Sequence, residues 1–419
     1  MEHTSRIDRP FRRGAAALVC AWIGLVAAGC AAKSVTRKEP GVFFPPAPGL
    51  PRIQYLTHFN GAKDVEEQSA FDRFIVGEKA DLRLDKPYGI GIFDGRIYVC
   101  DSTKTVMVFD LKARTYQPLK GAAGPGRLVE PLNISIEADG TKYVTDPGRG
   151  QVVVFDRNDD YVKTYSVAGE WRPVDAVPFE DRLYVVDVTN RHVKVFDKAS
   201  GEIVKTIGDK GEPSQKLDRP TNLAFDKNGD CYVTDAGRIQ ILRFDRDGHF
   251  KAAIGRPGDN LGHFARPKGL ALDREGRLYV VDASFNNSQV FDPDGRLLLF
   301  FGGGGTAPGN FTLPAKVTLD YDNLEFFRQY LDADFVPDYL ILVTSQFGER
   351  LVSVLAYGQE RGRKYPSDDA LLKEIEERRS KELEKLKVQE ERKKPEEKPG
   401  EKPEDRKPEG QPAEQPPKP

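Results

Sequence analysis

"GRLYVVDASFNNSQVFDPDG", residues 276–295, holds two short apolar runs that each end on an aspartate, Asp282 and Asp292, with polar turn residues between them. Alternating β-branched and aromatic residues bounded by turn residues read as a pair of strands. The same phrase recurs as "DRLYVVDVTNRHVKVFDKASG" at 181–201 and "GDCYVTDAGRIQILRFDRDG" at 229–248. Its tyrosine falls at Tyr98, Tyr143, Tyr184, Tyr232 and Tyr279, at intervals of 45, 41, 48 and 47 residues. Each copy is preceded by a Pro-led apolar run: "KPYGIGIF", "EPLNISIE", "RPVDAVPF", "RPTNLAFD", "RPKGLALD". Each is followed by a strand closing at Phe109-Asp110, Phe155-Asp156, Phe196-Asp197, Phe244-Asp245 or Phe291-Asp292, and then by a fourth strand running to Gly, as in "EIVKTIG" and "FKAAIG".

Four strands per unit at 41–48 residues predict the blades of a β-propeller. A four-stranded blade has two faces to bury, and only neighbours on both sides can cover them; a closed ring leaves no exposed end. A worn sixth copy opens at "LPAKVTLD" (313–320), continues through "YLILVTS" (339–345) and ends at "LVSVLAYG" (351–358). Its insertion, 321–338, reads as a short helix or protruding hairpin. This copy lacks a fourth strand, and "RIQYLTHFNG" (52–61) has that strand's pattern. The expected fold is therefore an all-β six-bladed β-propeller whose N-terminal strand closes the last blade. Residues 62–84, with Phe71, Phe74 and Ile75 at helical spacing, are expected to cap the junction.

The Pro-x-Gly opening, the "YV-D" strand and the glycines before the next blade in "RPKGLALDREGRLYVVDASFNNSQVFDPDG…FFGGGG" resemble an NHL repeat. Six such repeats over roughly 52–358, behind the N-terminal segment described next, resemble bacterial NHL-type propeller lipoproteins. That group is mostly uncharacterised, so the resemblance implies architecture rather than activity. Enzymes are built on similar scaffolds: amidating lyases with a His-bound metal, and lactonase-like propellers that hold calcium with Glu, Asn and Asp.

Arg6, Arg9, Arg12 and Arg13 precede an apolar run, Gly14 to Ala28, too short to span a bilayer comfortably. "LVAAGC" then places small residues before Cys30, as a signal peptide does before its cleavage site. Residues 1–29 are expected to be a lipoprotein signal and Cys30 the lipidated first residue; the alternatives are an ordinary signal cut nearby or an uncleaved anchor. Ala31 and Ala32, with no Asp after the cysteine, favour the outer membrane of a Gram-negative envelope, facing periplasm or exterior. A Pro-rich spacer is expected over 30–51, the propeller over 52–365, a charged helix over 366–394 and a disordered Pro/Glu/Lys tail over 395–419. Net charge is −2 for the whole chain, and −4 once four Arg, one Asp and one Glu leave with residues 1–29. Neither value favours nucleic acid.

A catalytic residue normally occurs once, whereas Asp101, Asp146, Asp187, Asp235 and Asp282 occur in every complete copy. They are expected to accept backbone hydrogen bonds in the following turn. The basic residues Lys86, Arg172, Arg219 and Arg266 are expected on the same face, within pairing distance. Tyr and Phe of the repeats are expected to fill the inter-blade space. Function belongs where the copies differ. Two residues after each proline stand Gly89, Asn133, Asp175, Asn222, Gly269 and Lys316. Asn133, Asp175, Asn222 and Lys316 are thus candidates for binding at a channel mouth; the alternative is hydration of a pore or backbone capping. His58, His192, His249 and His263 map to different elements and predict no metal site, and no sequence motif predicts a cofactor. Cys100 and Cys231 fall on opposite sides of the ring and are expected to remain free thiols. The reading drawn from these residues is a non-enzymatic envelope lipoprotein, anchored in the membrane by its N-terminal lipid. Its propeller would be a binding or assembly platform for a protein partner or other envelope ligand. The alternative is an extracytoplasmic hydrolase or lyase at the channel mouth.

Overall fold

The apolar runs of each repeat are buried on both faces, so each must find a neighbour on either side. In the computed structural model, which describes residues 41–66 and 82–393, they form six antiparallel sheets. Blade 1 consists of Pro87–Phe93, Arg96–Asp101, Val106–Asp110 and Thr115–Pro118. Blades 2 to 5 repeat this meander over 134–166, 173–207, 220–254 and 267–302. Blade 6 is Pro314–Asp320, Phe335–Ser345 and Val352–Glu360, completed by Ile53–Phe59 from the other end of the chain. The apolar core is divided in the same way. Six buried clusters each join the residues of two adjacent blades, including Phe59 and Leu340 of blade 6 with Ile97 and Phe109 of blade 1. The ring is therefore closed, as a six-bladed β-propeller requires.

Closure is secured beyond the strand pairing. Ile53 stands opposite Tyr357 and Phe59 opposite Val352. Leu351 N donates to Asn60 Oδ1 at 2.8 Å, and the Tyr365 hydroxyl donates to the Pro51 carbonyl at 2.8 Å. The Arg52 guanidinium lies 4.5 Å from the centre of the Tyr365 ring and donates to Pro366 O at 2.9 Å. Part of what reads as spacer joins in: Phe43–Phe44 forms a short fifth strand against Gln54 and Ile53. The blade-6 insertion is a 3-10 helix, Leu324–Tyr330, that buries Phe327 against Phe59. It does not protrude as a hairpin.

Helix α1, Asp368–Lys393, falls where the charged helix is expected, and its start touches the ring through buried Leu372. Among the described residues no helix is long and apolar enough to cross a membrane. Cys30, the expected cap residues Phe71, Phe74 and Ile75, and the tail over 395–419 lie outside the described residues. Cys100 and Cys231 are both buried and free, in blades 1 and 4.

Candidate functional site

The innermost strands line the axis, and their entry is irregular. In blades 1, 3, 4, 5 and 6 the register slips just after the opening proline. Such a bulge re-aims the next side chain. The four candidates at this position are closed to solvent rather than open at a mouth: Asn133, Asp175, Asn222 and Lys316 are at most 5% exposed. Lys316 Nζ reaches across the ring from blade 6 to Asp175 Oδ2 of blade 3 at 2.8 Å. The same oxygen accepts from Asn222 Nδ2 and Leu223 N, both at 3.2 Å, while Ala176 N donates to Asp175 Oδ1 at 3.0 Å. Asn133 stands apart from the carboxylate and donates from Nδ2 to Val174 O at 2.7 Å. Asn133 Oδ1 and Asn222 Oδ1 are buried without a partner, and of the two Asn222 lies beside the ion pair.

The glycines at this position explain how the strands come so close. A Cβ on Gly89 would stand 2.5 Å from Asn133 Cα, and one on Gly269 would stand 2.5 Å from Lys316 Cα. Real Cβ atoms do not approach backbone that closely, so blades 2 and 6 sit where they do because blades 1 and 5 carry no side chain there. A second pattern follows the same alternation. Thr145, Thr234 and Thr344, in blades 2, 4 and 6, each donate from Oγ1 to a carbonyl of the next blade: Val174, Lys268 and Tyr88. The odd blades have Cys100, Val186 and Val281 at that place. The repeat therefore has a two-blade period, visible in "YVTD" against "YVVD" but missed by aligning single blades.

The repeated aspartates have a structural role. Asp282 accepts from Ala265 N, Arg266 N, Ser284 N and Phe285 N at 2.8–3.1 Å, and Asp101, Asp146, Asp187 and Asp235 bind the same two segments of their own blades. The turn bonds are as expected; the pairing with basic side chains is not. Backbone N–H groups of the residues before the proline occupy the carboxylates, and the cations that do reach them come from later in the same blade, Lys194 to Asp187 at 2.9 Å and Arg238 to Asp235 at 3.6 Å, rather than from Lys86, Arg219 or Arg266. Arg172 instead pairs with Glu130 at 3.4 Å.

Beyond the ion pair the axis widens into a cavity of about 1010 Å³ at the end where the first and second strands of each blade turn. Ile90, Ile134, Leu223, Leu270 and Val317 form an apolar belt with Lys316 among them. Phe179 and Phe225, stacked at 4.8 Å, provide an aromatic wall. Most rim carboxylates are engaged: Glu137 with Lys198 at 2.7 Å, Glu180 with Arg246 at 3.2 Å, Asp273 with Arg277 at 2.6 Å. Asp320 is different. It is buried in the cavity wall, where Asn323 N and Nδ2 donate to it and no cation among the described residues pairs with it, and burial pushes its carboxyl above the usual carboxylate range.

No histidine lines this cavity. His58 pairs with Tyr55, His192 with Lys194, and His263 accepts from Arg256. Among the described residues the one group with metal-ligating reach is Asp245, Asp247 and His249, a surface hairpin in which Asp245 already accepts from the Asp247 and His249 N–H groups.

No family model and no curated protein matches the chain. Among solved structures, a protein of unknown function from Bacteroides thetaiotaomicron is similar over 73% of this chain and 75% of its own, at 16% identity and a TM-score of 0.50. A virginiamycin B lyase from Staphylococcus aureus is similar over 65% of this chain and 96% of its own, at 13% identity and a TM-score of 0.45. A gluconolactonase from Xanthomonas campestris is similar over 77% of this chain and 99% of its own, at 16% identity and a TM-score of 0.48. These likenesses show the fold alone. Enzymes nevertheless stand among proteins of this architecture, which overturns the expectation of a non-enzymatic chain: a propeller without a histidine cluster does not exclude catalysis.

Proposed function

We propose that the chain is an NHL-type envelope lipoprotein, lipidated at Cys30, whose propeller is a binding platform for an envelope ligand held in the axial cavity. The observation that carries the binding reading is the cavity's construction. It opens at one end of the ring and its inner end is stopped by the buried Asp175–Lys316 pair. An apolar belt, a stacked aromatic wall and a polar rim suit a small amphipathic molecule or the side chain of a bound protein. Asn222 donates to the Asp175 carboxylate, and Asn133 and Asn222 each keep a buried side-chain oxygen without a partner. Attachment through a lipid at Cys30 would hold this surface in the envelope, with the outer membrane as its expected place.

The test is mass spectrometry of small molecules extracted from the purified protein, compared with Ser135→Trp, which fills the cavity from its wall. A compound enriched in the wild type and lost in the variant is the expected result; identical extracts from the two proteins would overturn the reading. Cys30→Ser is expected to move the protein from the membrane fraction to the soluble one. A second reading, a hydrolase or lyase at the same mouth, is favoured by Asp320. A buried carboxyl held above its usual range beside a cavity is the form a general acid takes. Asp320→Asn would then retain the compound but leave it unconverted.

A further inference from the structure

Four of the six innermost strands are entered through a basic residue: Lys86, Arg172, Arg219 and Arg266. These stand at the end of the ring opposite the cavity, and Lys268 joins them one residue beyond its own proline. We propose that this mouth is a binding site for a multiply charged oxyanion, a phosphate or polycarboxylate group, held by Lys86, Arg219, Arg266 and Lys268 around Tyr88. The proposal does not depend on what occupies the cavity.

Three observations carry it. First, no carboxylate among the described residues pairs with any of these four cations, whereas the nearby acids are taken: Glu130 by Arg172 at 3.4 Å and Asp218 by Arg191 at 3.1 Å. Second, Lys268 is half-buried with a neutral partner only. Its Nζ donates to Gln346 Oε1 of blade 6 at 2.7 Å and lies 5.3 Å from the centre of the Tyr88 ring of blade 1. Burial, Arg266 on its own strand and Lys86 from blade 1 lower it to about 8. A charge kept in such a place without an anionic partner weakens the fold. Third, Thr221 Oγ1, two residues past Arg219, is buried without a partner. The Arg266 guanidinium beside the Lys86 and Lys268 ammonium groups matches the oxygens of a compact anion, with Arg219 and the Thr221 hydroxyl at the same end of the neighbouring blade. Lys86 of blade 1 and Arg266 and Lys268 of blade 5 gather beside Tyr88 rather than extend as a stripe, which fits a small anion and not a nucleic acid.

The experiment is calorimetric titration of the full chain with inorganic phosphate and with citrate at pH 7, at constant ionic strength set by chloride. Saturable binding of one or the other is expected, and whichever binds identifies the source of the charge. Arg266→Gln and Lys268→Met should each weaken it at least tenfold, while Ser135→Trp at the opposite mouth leaves it unchanged. Wild-type affinity for citrate should fall as pH rises from 7 to 9, because the Lys268 ammonium, lowered to about 8, loses its proton in that window. Lys268→Met removes an unpaired charge and should melt no lower than wild type; Lys86→Gln, at an exposed position, provides a further variant. No saturable binding of either anion, or binding unmoved by all three substitutions, would overturn the proposal.

Discussion

Asp175 and Lys316 are two charges that hold each other out of water, and the consequence of separating them is large. Asp175→Ala would leave the Lys316 ammonium buried without its partner, a loss of about 3–5 kcal/mol for a broken buried pair. Asp175→Ala combined with Lys316→Met removes both charges and should recover most of that loss. Urea denaturation of the single and double variants checks this; equal instability of the two would show that the pair is not what holds the axis. The sequence marked both positions because they differ between copies, one after another along the innermost strands. It could not reveal that they meet, since the bond spans the ring between residues 141 apart. The basic residues before the prolines misled in the opposite way. Their nearness to the repeated aspartates is real, but N–H groups of the same short segments occupy the carboxylates first, as buried acceptors require.

Ile53–Phe59 is the element on which the ring depends, and its absence from the sixth copy was what made it legible at a distance. Deleting 52–61 would leave the backbone of Val352–Glu360 unpaired along one edge and uncover Phe109 and Phe327, which pack on Phe59. An uncovered apolar edge strand pairs with other molecules. The variant should elute as aggregates in size-exclusion chromatography; a monodisperse, folded deletion protein would contradict the closure. The short strand Phe43–Phe44 was not legible, whereas the insertion read as a short helix or a protruding hairpin and is the 3-10 helix Leu324–Tyr330. A two-residue strand has no periodicity to detect. The insertion's conformation is set by Phe327 entering a core made from both ends of the chain and by Asn323 Oδ1 accepting from Gly95 N at 2.7 Å.

At the scale of the whole molecule, the six interfaces make one cooperative body, and Cys100 and Cys231 report on it from opposite blades. Both are fully buried, and burial pushes both thiols above their ordinary value, so neither presents a thiolate at neutral pH. Neither should react with a thiol reagent in the native protein, and both should become reactive together as the ring opens in denaturant. Mass spectrometry of labelled protein checks this, and labelling of one site well before the other would show that the blades open separately. Blade count and ring closure were legible because they are written many times over. The pairing of blades into three twos was not, because it resides in single atoms: a threonine hydroxyl present or absent, a glycine where its neighbour's backbone comes close. The shared last blade also has a consequence in time. Asn60 and its partner Leu351 are 291 residues apart. At about 5–20 residues per second, a ribosome needs roughly 15–60 s to make that length. For that interval the first strand of the ring has been made and its partner has not, so the nascent chain must be kept from pairing elsewhere until the last hairpin emerges.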